Sequence, residues 1–293
     1  NGDYEDGNWN AVWQSATKIV ENGWVAEMCI PYSALRFPVK DEMVWGVNFF
    51  RNIRRYNSNT SWNLIDVNVE GFLHQSGQLH GIDAIKPPLR LALSPYVAQY
   101  VAFDSGEPEF IFKGGVDLKY GISESHTLDM MLIPDFGQIQ SDDTELNLSP
   151  YELYYDEKRQ FFIEGNELFD RAGIFYSRRI GGQPKFGDDV SEKLGSDETV
   201  KYNPSKTQLI NATKITGRDK NGWGVGIMNA ITLPAVAQVE NTKTGRLREV
   251  IAQPFTNYNV AVVEKTINNN SYVSLINSNL SMVDNPYSAN VTA

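Results

Sequence analysis

The fold is decided by residues 127–169, which read TLDMMLIPDFGQIQSDDTELNLSPYELYYDEKRQFFIEGNELF. Leu128, Met130 and Leu132 lie on one side of an alternating pattern, with Thr, Asp and Met between them, and this pattern predicts a strand. It breaks at Pro134, and the aromatic and charged residues that follow have no long helical period. A strand that leads into a long connection of this kind is typical of a β protein whose loops carry its function.

Further strands are predicted on both sides of this stretch. Residues 113–122 alternate between polar and apolar side chains, as a strand with one apolar face does. Convincing helical patterns are absent. Two hairpins and one more long strand complete the pattern, at 207–216 with 223–232, at 258–266 with 272–281, and at 91–103. The sequence therefore predicts an all-β protein built from antiparallel strands.

Two architectures fit such strands, a soluble β-sandwich and an outer-membrane β-barrel. The predicted strands run to about ten residues, which is the length that a tilted membrane strand requires. Five tyrosines near strand ends could form an interfacial girdle: Tyr96, Tyr100, Tyr120, Tyr258 and Tyr272. Because tyrosine is also common in ordinary sheets, periodicity leaves both architectures open.

The composition limits the classes of protein. The chain has 293 residues, 41% of them hydrophobic and 21% charged, which is ordinary for a folded protein. A net charge of −10 argues against a nucleic-acid partner, since a phosphate backbone needs a basic face. The single cysteine, Cys29, excludes an internal disulfide, and its neighbours Met28 and Ile30 predict a buried, inert thiol.

A change of organisation near residue 87 predicts two domains, 1–86 and 87–293. Five of the six tryptophans precede residue 63, and Lys86-Pro87-Pro88 is a stiff junction. The first domain is expected to contain a hairpin across Asn22-Gly23, a short helix after Pro31 and a central strand over 44–53. The chain starts at Asn, so a fragment or a mature piece of a longer product is expected.

Two groups of motifs resemble known families. Residues 9–38, WNAVWQSATKIVENGWVAEMCIPYSALRFP, and 45–55, WGVNFFRNIRR, resemble the C-terminal half of a family-9-like carbohydrate-binding module. A second group resembles an uncharacterised outer-membrane barrel domain (domain of unknown function 5916) that follows such modules in Gram-negative surface proteins. Its motifs are Pro134-Asp135-Phe136-Gly137-Gln138, Glu157-Lys158-Arg159-Gln160-Phe161-Phe162, Glu164-Gly165, Leu168-Phe169 and Phe175-Tyr176-Ser177-Arg178-Arg179-Ile180-Gly181.

This resemblance implies a partial β-sandwich over 1–86 followed by the N-terminal part of an antiparallel, outer-membrane-type β-barrel over 87–293. Residues 134–200 would form a plug or a long loop. Roughly seven strands are predicted in the second domain, whereas a bacterial barrel needs about eight to close. Since the family's activity is poorly defined, the resemblance implies an architecture more than a chemistry.

Carbohydrate binding requires exposed aromatic faces flanked by hydrogen-bonding groups. Tryptophans in polar surroundings suit this role better than the strand tryptophans Trp24 and Trp45. The predicted carbohydrate-binding residues are Trp9, Trp62, Asn63, Arg54 and Arg55. The alternative, in which these tryptophans only pack in the core or rim of the sandwich, stays open.

The charged residues of the second domain admit two interpretations. A barrel plug or lining is predicted from Asp135, Glu157, Lys158, Arg159, Glu164, Arg178 and Arg179. Carboxylates are expected in a polar lumen. A glycoside hydrolase would instead need two converging carboxyl groups, which could come from Glu152, Glu157, Glu164 and Glu167. Serine-hydrolase, phosphate-loop and dinucleotide motifs are absent, and no catalytic residue is assigned.

Metal binding has little support in the sequence. Calcium could be considered at two acidic clusters, formed by Asp3, Glu5 and Asp6 and by Asp135, Asp142, Asp143 and Glu145. Neither has the spacing of a calcium loop, which favours a solvated acidic surface. The three histidines lack metal-site spacing. We therefore expect no cofactor.

Taken with the resemblance, these features favour a Gram-negative cell-envelope protein that binds carbohydrate through a β-sandwich attached to an outer-membrane barrel. Its role would be glycan recognition, uptake or anchoring, with outer-membrane lipid as a partner and the N-terminal module in the periplasm. The alternatives are a secreted glycoside hydrolase or hydrolase accessory protein, acting on O-glycosyl bonds in carbohydrate catabolism, and a soluble multi-sandwich adhesin.

Overall fold

The computed structural model forms two compact units, Asn1–Leu89 and Arg90–Ala293. Antiparallel strands are the main regular structure of both units, which confirms the predicted all-β class. The structure describes residues 11–35, 37, 40, 42–66, 68–69, 73–86, 88–102, 109–136, 150, 153–268, 271–285 and 287–293.

The first unit contains three separate two-stranded antiparallel sheets. Strand β1 (Gln14–Val20) pairs with β2 (Gly23–Cys29), so the hairpin predicted at Asn22-Gly23 is confirmed. The other strands are β3 (Glu42–Val47), β4 (Phe50–Ile53), β5 (Ser58–Ser61) and β6 (Gly77–Asp83). They pair as β3 with β6 and as β4 with β5. Single 3-10 turns lie at Tyr32–Ala34, Arg54–Tyr56 and Leu73–Gln75.

Two sequence predictions for this unit are wrong. The single covered strand predicted over 44–53 is divided into β3 and β4, and most of its residues are exposed. The division follows from Asn48, whose Oδ1 accepts hydrogen bonds from the amides of Phe49 and Asn63 at 2.9 and 3.0 Å. The thiol of Cys29 is exposed rather than buried, because no described residue covers either face of β1 and β2.

The second unit contains eleven described strands and one short helix. In chain order they are β7 (Leu91–Ala102), β8 (Glu109–Gly121), β9 (His126–Leu132), α1 (Gln160–Ile163), β10 (Glu198–Tyr202), β11 (Leu209–Arg218), β12 (Trp223–Thr232), β13 (Ala235–Asn241), β14 (Leu247–Gln253), β15 (Thr256–Asn268), β16 (Ser271–Met282) and β17 (Ser288–Thr292). Three-residue 3-10 turns lie at 171–173 and 177–179, and a longer one spans Asp188–Lys193. No described helix is long and apolar enough to cross a membrane.

Eight of these strands form one antiparallel sheet in the order β17-β16-β15-β12-β11-β9-β8-β7. The sheet is open, with β7 and β17 at its edges. The predicted hairpins β11–β12 and β15–β16 are confirmed. Strands β10, β13 and β14 form a separate three-stranded sheet with its own small core of Val190, Ala237, Val239, Val250 and Ala252.

The two ends of the eight-stranded sheet differ in the length of their connections. At one end, which we call the short-turn end, residues 122–125, 219–222 and 269–270 join neighbouring strands. At the other end, the long-loop end, the connections are 103–108, 133–208, 233–255 and 283–287. The chain enters β7 at the short-turn end, because β8 runs back toward the turn at 122–125.

The two faces of this sheet differ in chemistry. Residues 153–181 cover one face, which we call the inner face, and form with it a core of Phe161, Phe162, Leu168, Phe169, Ile180, Leu209, Ala212, Met228, Ala230, Val260, Val262 and Ile276. No described segment covers the opposite face, which we call the outer face. Large exposed apolar side chains occupy it in both halves of the sheet, and they include Leu93, Val97, Phe112, Ile227, Val263 and Leu275.

Candidate functional site: a segment folded against the inner face

The candidate site is formed by residues 153–181, the folded-in segment, and the strands beneath it. The segment belongs to the connection between β9 and β11, which starts at the long-loop end. It nevertheless reaches the short-turn end, where Glu164 pairs with Lys119 and where Leu168 lies over Gly224. The segment must therefore keep a compact shape along the full length of the inner face, from the long-loop end to the short-turn end.

An ion pair within the segment fixes this shape. Arg159 donates from Nε and Nη2 to the two carboxylate oxygens of Glu157, at 2.9 and 2.7 Å. The same guanidinium donates to the backbone carbonyls of Ser177 and Ile180, and its carbon lies 4.2 Å from the Phe162 ring centroid. One buried side chain thus ties the beginning of the segment to its end.

Glu157 is held in its charged form by the same contacts. Burial alone would raise the pKa of its carboxyl. Hydrogen bonds from Arg159 and from the Ser177 hydroxyl, the latter at 2.6 Å, favour the charged form more strongly and hold the pKa below its usual value. Glu157 therefore keeps its negative charge although its side chain is largely covered.

Cationic side chains of the sheet hold the middle of the segment. Lys119 on β8 pairs with the carboxylate of Glu164. Lys214 on β11 is almost fully buried and donates to the backbone carbonyls of Phe161 and Glu164. Asp129 on β9 lies 3.9 Å from the Lys214 ammonium and balances its charge. This lysine therefore contacts carbonyls at the end of α1 as a capping cation does at a helix C-terminus.

A second cluster holds the end of the segment near the short-turn end. The buried carboxylate of Glu264 on β15 accepts a hydrogen bond from Nε of Arg171 at 2.7 Å and another from Arg218 on β11. Arg171 belongs to the folded-in segment, whereas Arg218 belongs to the sheet. One carboxylate therefore joins the two, and the Arg171 guanidinium also lies 4.3 Å from the Tyr272 ring centroid.

Two glycines of β12 make room for the apolar part of the segment. A Cβ at Gly224 would lie 3.0 Å from Cδ2 of Leu168, and one at Gly226 would lie 3.1 Å from Cζ of Phe169. The ring of Phe169 is fully buried. The close approach of the segment to the sheet thus requires glycine at these two positions.

Asp135 anchors the start of the connection to the other half of the sheet. Its carboxylate accepts a hydrogen bond from the Tyr100 hydroxyl and lies 3.4 Å from the Lys113 ammonium. The Tyr96 hydroxyl donates to the carbonyl of Ile133 at 2.6 Å and accepts from the amide of Asp135 at 2.8 Å. The chain leaving β9 is therefore tied to β7 and β8 at once.

The remaining predicted plug residues have peripheral places. The amide of Lys158 donates to Glu157 at 3.0 Å, and Nε of Arg178 donates to the carbonyl of Asp156 at 2.9 Å. The guanidinium of Arg179 lies 6.0 Å from the Tyr176 ring centroid. All the predicted plug residues except Asp135 thus belong to the folded-in segment, and four residues that hold it were missed: Lys119, Lys214, Arg218 and Glu264.

The possible hydrolase carboxylates are engaged in structural contacts. Glu157 and Glu164 pair with Arg159 and Lys119, while exposed Glu167 lies 4.0 Å from Arg218. Glu152 lies outside the described residues. These contacts assign the described carboxylates to holding the segment.

The predicted carbohydrate site is dispersed. Trp9 lies outside the described residues, and exposed Trp62 packs edge-on against Phe49. Asn63 is occupied by backbone contacts with Asn48 and Gln75. Arg54 and Arg55 lie in the turn that joins β4 to β5, whereas Trp62 follows the far end of β5. The structure therefore does not bring these arginines to Trp62.

Two features of the first unit were missed. The exposed ring of Trp24 carries the guanidinium of Arg51 at 5.9 Å from its centroid. A cavity of about 320 Å³ is lined in part by Phe37, Met43 and Trp45. Both tryptophans lie in strands, whereas the sequence pattern favoured tryptophans in polar surroundings for carbohydrate binding.

The calcium prediction finds no support among the described residues, where no group of three or more His, Cys, Asp and Glu side chains could hold a metal ion. Asp135 is engaged by Tyr100 and Lys113. The other acidic residues of both clusters, Asp3, Glu5, Asp6, Asp142, Asp143 and Glu145, lie outside the described part of the chain.

Comparison with known proteins places this site within one family. The model of a domain of unknown function, DUF5916, matches residues 87–293. The chain belongs to this family. The DUF5916 match includes the eight-stranded sheet and the whole folded-in segment, and it confirms the resemblance to this domain of unknown function, whereas the outer-membrane barrel stays a prediction. The resemblance of the first unit to a carbohydrate-binding module stays a prediction. No curated protein and no solved structure matches the chain.

Proposed function

We propose that the DUF5916 domain is part of an outer-membrane β-barrel wall whose interior is occupied by the folded-in segment. The observation that carries this proposal is the distribution of charge between the two faces of the eight-stranded sheet. Among the strand residues whose side chains the structure describes, the outer face carries one charged residue, Lys265. The inner face carries seven: Lys113, Asp117, Lys119, Asp129, Lys214, Arg218 and Glu264.

A protein surrounded by water would be expected to show the opposite distribution of charged and apolar side chains. A sheet in a soluble protein turns its apolar face toward the core, because burial of apolar area is the main stabilising term. Here Val97 is 83% exposed and Phe112 is 68% exposed, while charged Lys214 and Glu264 are buried. Hydrocarbon on the outer side would remove this conflict, as it does in barrels with an apolar exterior and a polar lumen.

The connections support an orientation. In outer-membrane barrels the periplasmic turns are short and the extracellular loops are long. By this rule the short-turn end of the sheet faces the periplasm. Since the chain enters β7 at that end, the N-terminal unit belongs on the periplasmic side. There its exposed tryptophans, Trp24 and Trp62, would be available to a carbohydrate.

The folded-in segment would act as a resident plug. Long loops that fold into a lumen occupy it and limit passage. The ion pairs to Lys119 and Glu264 and the packing over Gly224 and Gly226 hold the segment to the wall without any contact that resembles a catalytic pair. The proposed role is glycan recognition coupled to uptake or anchoring at the outer membrane.

The location is tested by expressing the full gene in a Gram-negative host and fractionating the cells. The proposal requires the product to remain in washed outer membranes and to show heat-modifiable mobility on gels. A soluble product would contradict it, and a soluble product that released reducing sugar from glycans would favour the hydrolase.

The plug is tested by conductance in planar bilayers. The double substitution Arg171→Gln with Lys119→Gln removes one contact at the middle of the segment and one at its end, so we expect a larger or noisier conductance than that of the wild type. Arg178→Gln, which removes a hydrogen bond within the segment, is the matched control. Equal conductance in all three proteins would exclude the plug role.

A further inference from the structure

We infer that the lipid-contacting belt crosses the outer face on a diagonal, so that residues in one hydrogen-bonded row lie in different environments. The inference rests on the proposed membrane location and specifies its contact surface. The register of the sheet carries it, because each row of paired residues can be followed from β7 to β17.

Two adjacent rows change from apolar to polar along their length. The first row consists of Leu91, Tyr120, Leu128, Ile215, Ile227, Ala261, Asn277 and Thr292. The second row, two residues nearer the long-loop end, consists of Leu93, Leu118, Met130, Thr213, Asn229, Asn259, Asn279 and Asn290. The first row is apolar over six strands, and the second row is apolar over only three.

A third row, two residues nearer the short-turn end than the first, changes in the opposite sense. It begins with His126 and Gly217 and continues with Val225, Val263 and Leu275. On β12, β15 and β16 this third row is therefore apolar, whereas the second row is polar on the same strands. The boundary between apolar and polar residues therefore steps toward the short-turn end from β8 to β16.

In the polar part of the outer face, asparagine side chains hydrogen-bond to neighbouring polar side chains. The side-chain amide of Asn229 donates to the side-chain oxygens of Asn257 and Asn259, at 2.6 and 2.8 Å. That of Asn277 donates to Asn290 and Thr292, at 2.9 and 2.8 Å. An uncharged amide network of this kind tolerates the headgroup region but would be costly in hydrocarbon.

The boundary between apolar and polar residues can be followed in the register. It passes from between Met130 and Thr213 in the second row to between Ala261 and Asn277 in the first row, three strands further along the sheet and two residues nearer the short-turn end. The boundary is therefore oblique to the rows, as expected where tilted strands cross a membrane.

An oblique boundary of this kind favours a bilayer as the partner. A membrane cuts tilted strands at one depth, so its contact zone crosses the rows at an angle. A second sheet or a second copy of the chain imposes no such angle. Among the outer-face strand residues whose side chains the structure describes, Lys265 is the one charged residue, and its ammonium lies 5.0 Å from the centroid of the Trp223 ring.

Four single cysteines in the full-length protein, with Cys29→Ser as background, test the diagonal in intact outer membranes. Leu118→Cys and Asn259→Cys lie in one row, and His126→Cys and Val263→Cys lie in another. The diagonal requires Leu118→Cys and Val263→Cys to react at least about tenfold more slowly with a water-soluble thiol reagent, because the reactive thiolate is disfavoured away from water.

The outcomes separate the inference from the proposed function. Slow labelling at Leu118→Cys and Val263→Cys, with fast labelling at their row partners, supports the diagonal. Equal labelling within each row, including slow labelling at all four positions, overturns the diagonal and leaves the membrane location standing. Fast labelling at all four positions overturns both. Heat-modifiable mobility of each variant verifies that it is folded.

Discussion

The inner and outer faces of the eight-stranded sheet follow opposite rules of burial. On the inner face Lys214 is only 2% exposed, yet its ammonium has two carbonyl partners and a nearby carboxylate. On the outer face Val97 is 83% exposed and belongs to a surface almost free of charge. The difference teaches that the charged side chains of this sheet find partners on the inner face, whereas a large part of its apolar surface stays exposed on the outer face.

The largest expected effect comes from the packing beneath the folded-in segment. Phe162→Ala removes a ring that is 1% exposed and should lower the free energy of unfolding by about 3–5 kcal/mol. Urea titration of the protein in lipid vesicles measures this loss. Phe112→Ala on the outer face is the control and should cost much less. If the two variants were equally destabilised, the contrast between the faces would be false.

Glu264 provides a test of the buried ion pairs. Glu264→Gln removes the buried carboxylate that accepts hydrogen bonds from both Arg171 and Arg218 and should destabilise the protein by about 2–3 kcal/mol. Exposed Glu167 lies 4.0 Å from the same Arg218, so Glu167→Gln should change stability by less than about 0.5 kcal/mol. The comparison is made by the same urea titration, and a large effect at Glu167 would contradict the assignment.

Glycine-to-alanine substitutions, which add a single methyl group, should affect the two faces differently. Gly226→Ala places a Cβ 3.1 Å from the Phe169 ring and should cost about 1–3 kcal/mol. Gly114 on the outer face offers a Cβ only ordinary contacts, the nearest at 3.5 Å. Gly114→Ala should therefore be neutral or stabilise the strand by about 0.5 kcal/mol. Thermal unfolding midpoints rank the two variants, and the reverse order would count against close packing at Gly226.

The smallest expected effect sharpens the contrast between buried and exposed ion pairs. In the three-stranded sheet, hydrogen bonds from Arg248 and from the amide of Gly195 lower the pKa of Glu198 from 4.5 to about 2. A carboxyl with a lowered pKa contributes stability above its unfolded value and loses that contribution as the pH falls. Wild-type stability should therefore decline between pH 4.5 and 2 more than that of Arg248→Gln. Parallel pH curves would show that the pair contributes nothing.

Much of the fold follows from local patterns in the sequence. Alternation over 127–132 predicted both faces of β9, and the polar turn at 219–222 predicted the hairpin β11–β12. These features depend on neighbouring residues, so the sequence carries them directly. Strands β13 and β14 were missed because their faces are decided by a separate small core that includes Val190, which lies far away in the chain.

The site was only half predictable for the same reason. The motif around Glu157, Arg159 and Glu164 indicated a plug, since charged residues beside phenylalanines suit a polar lumen. Its partners Lys214 and Glu264 belong to strands that read as ordinary alternation, and only the register brings them to the segment. The buried Cys29 was wrongly predicted because apolar neighbours indicate a covered strand only where another layer exists.

The position of the long connection within the sheet has a consequence for the order of folding. Strands β9 and β11 are neighbours, yet the 76 residues from 133 to 208 separate them. Closing this loop costs roughly 2.5 kcal/mol more entropy than closing the four-residue turn at 219–222. We expect β7–β9 and β11–β17 to form first as two independent halves, as local contacts form fastest. We expect β9 and β11 to pair only when residues 153–181 have packed, so that this segment is the last part of the domain to fold.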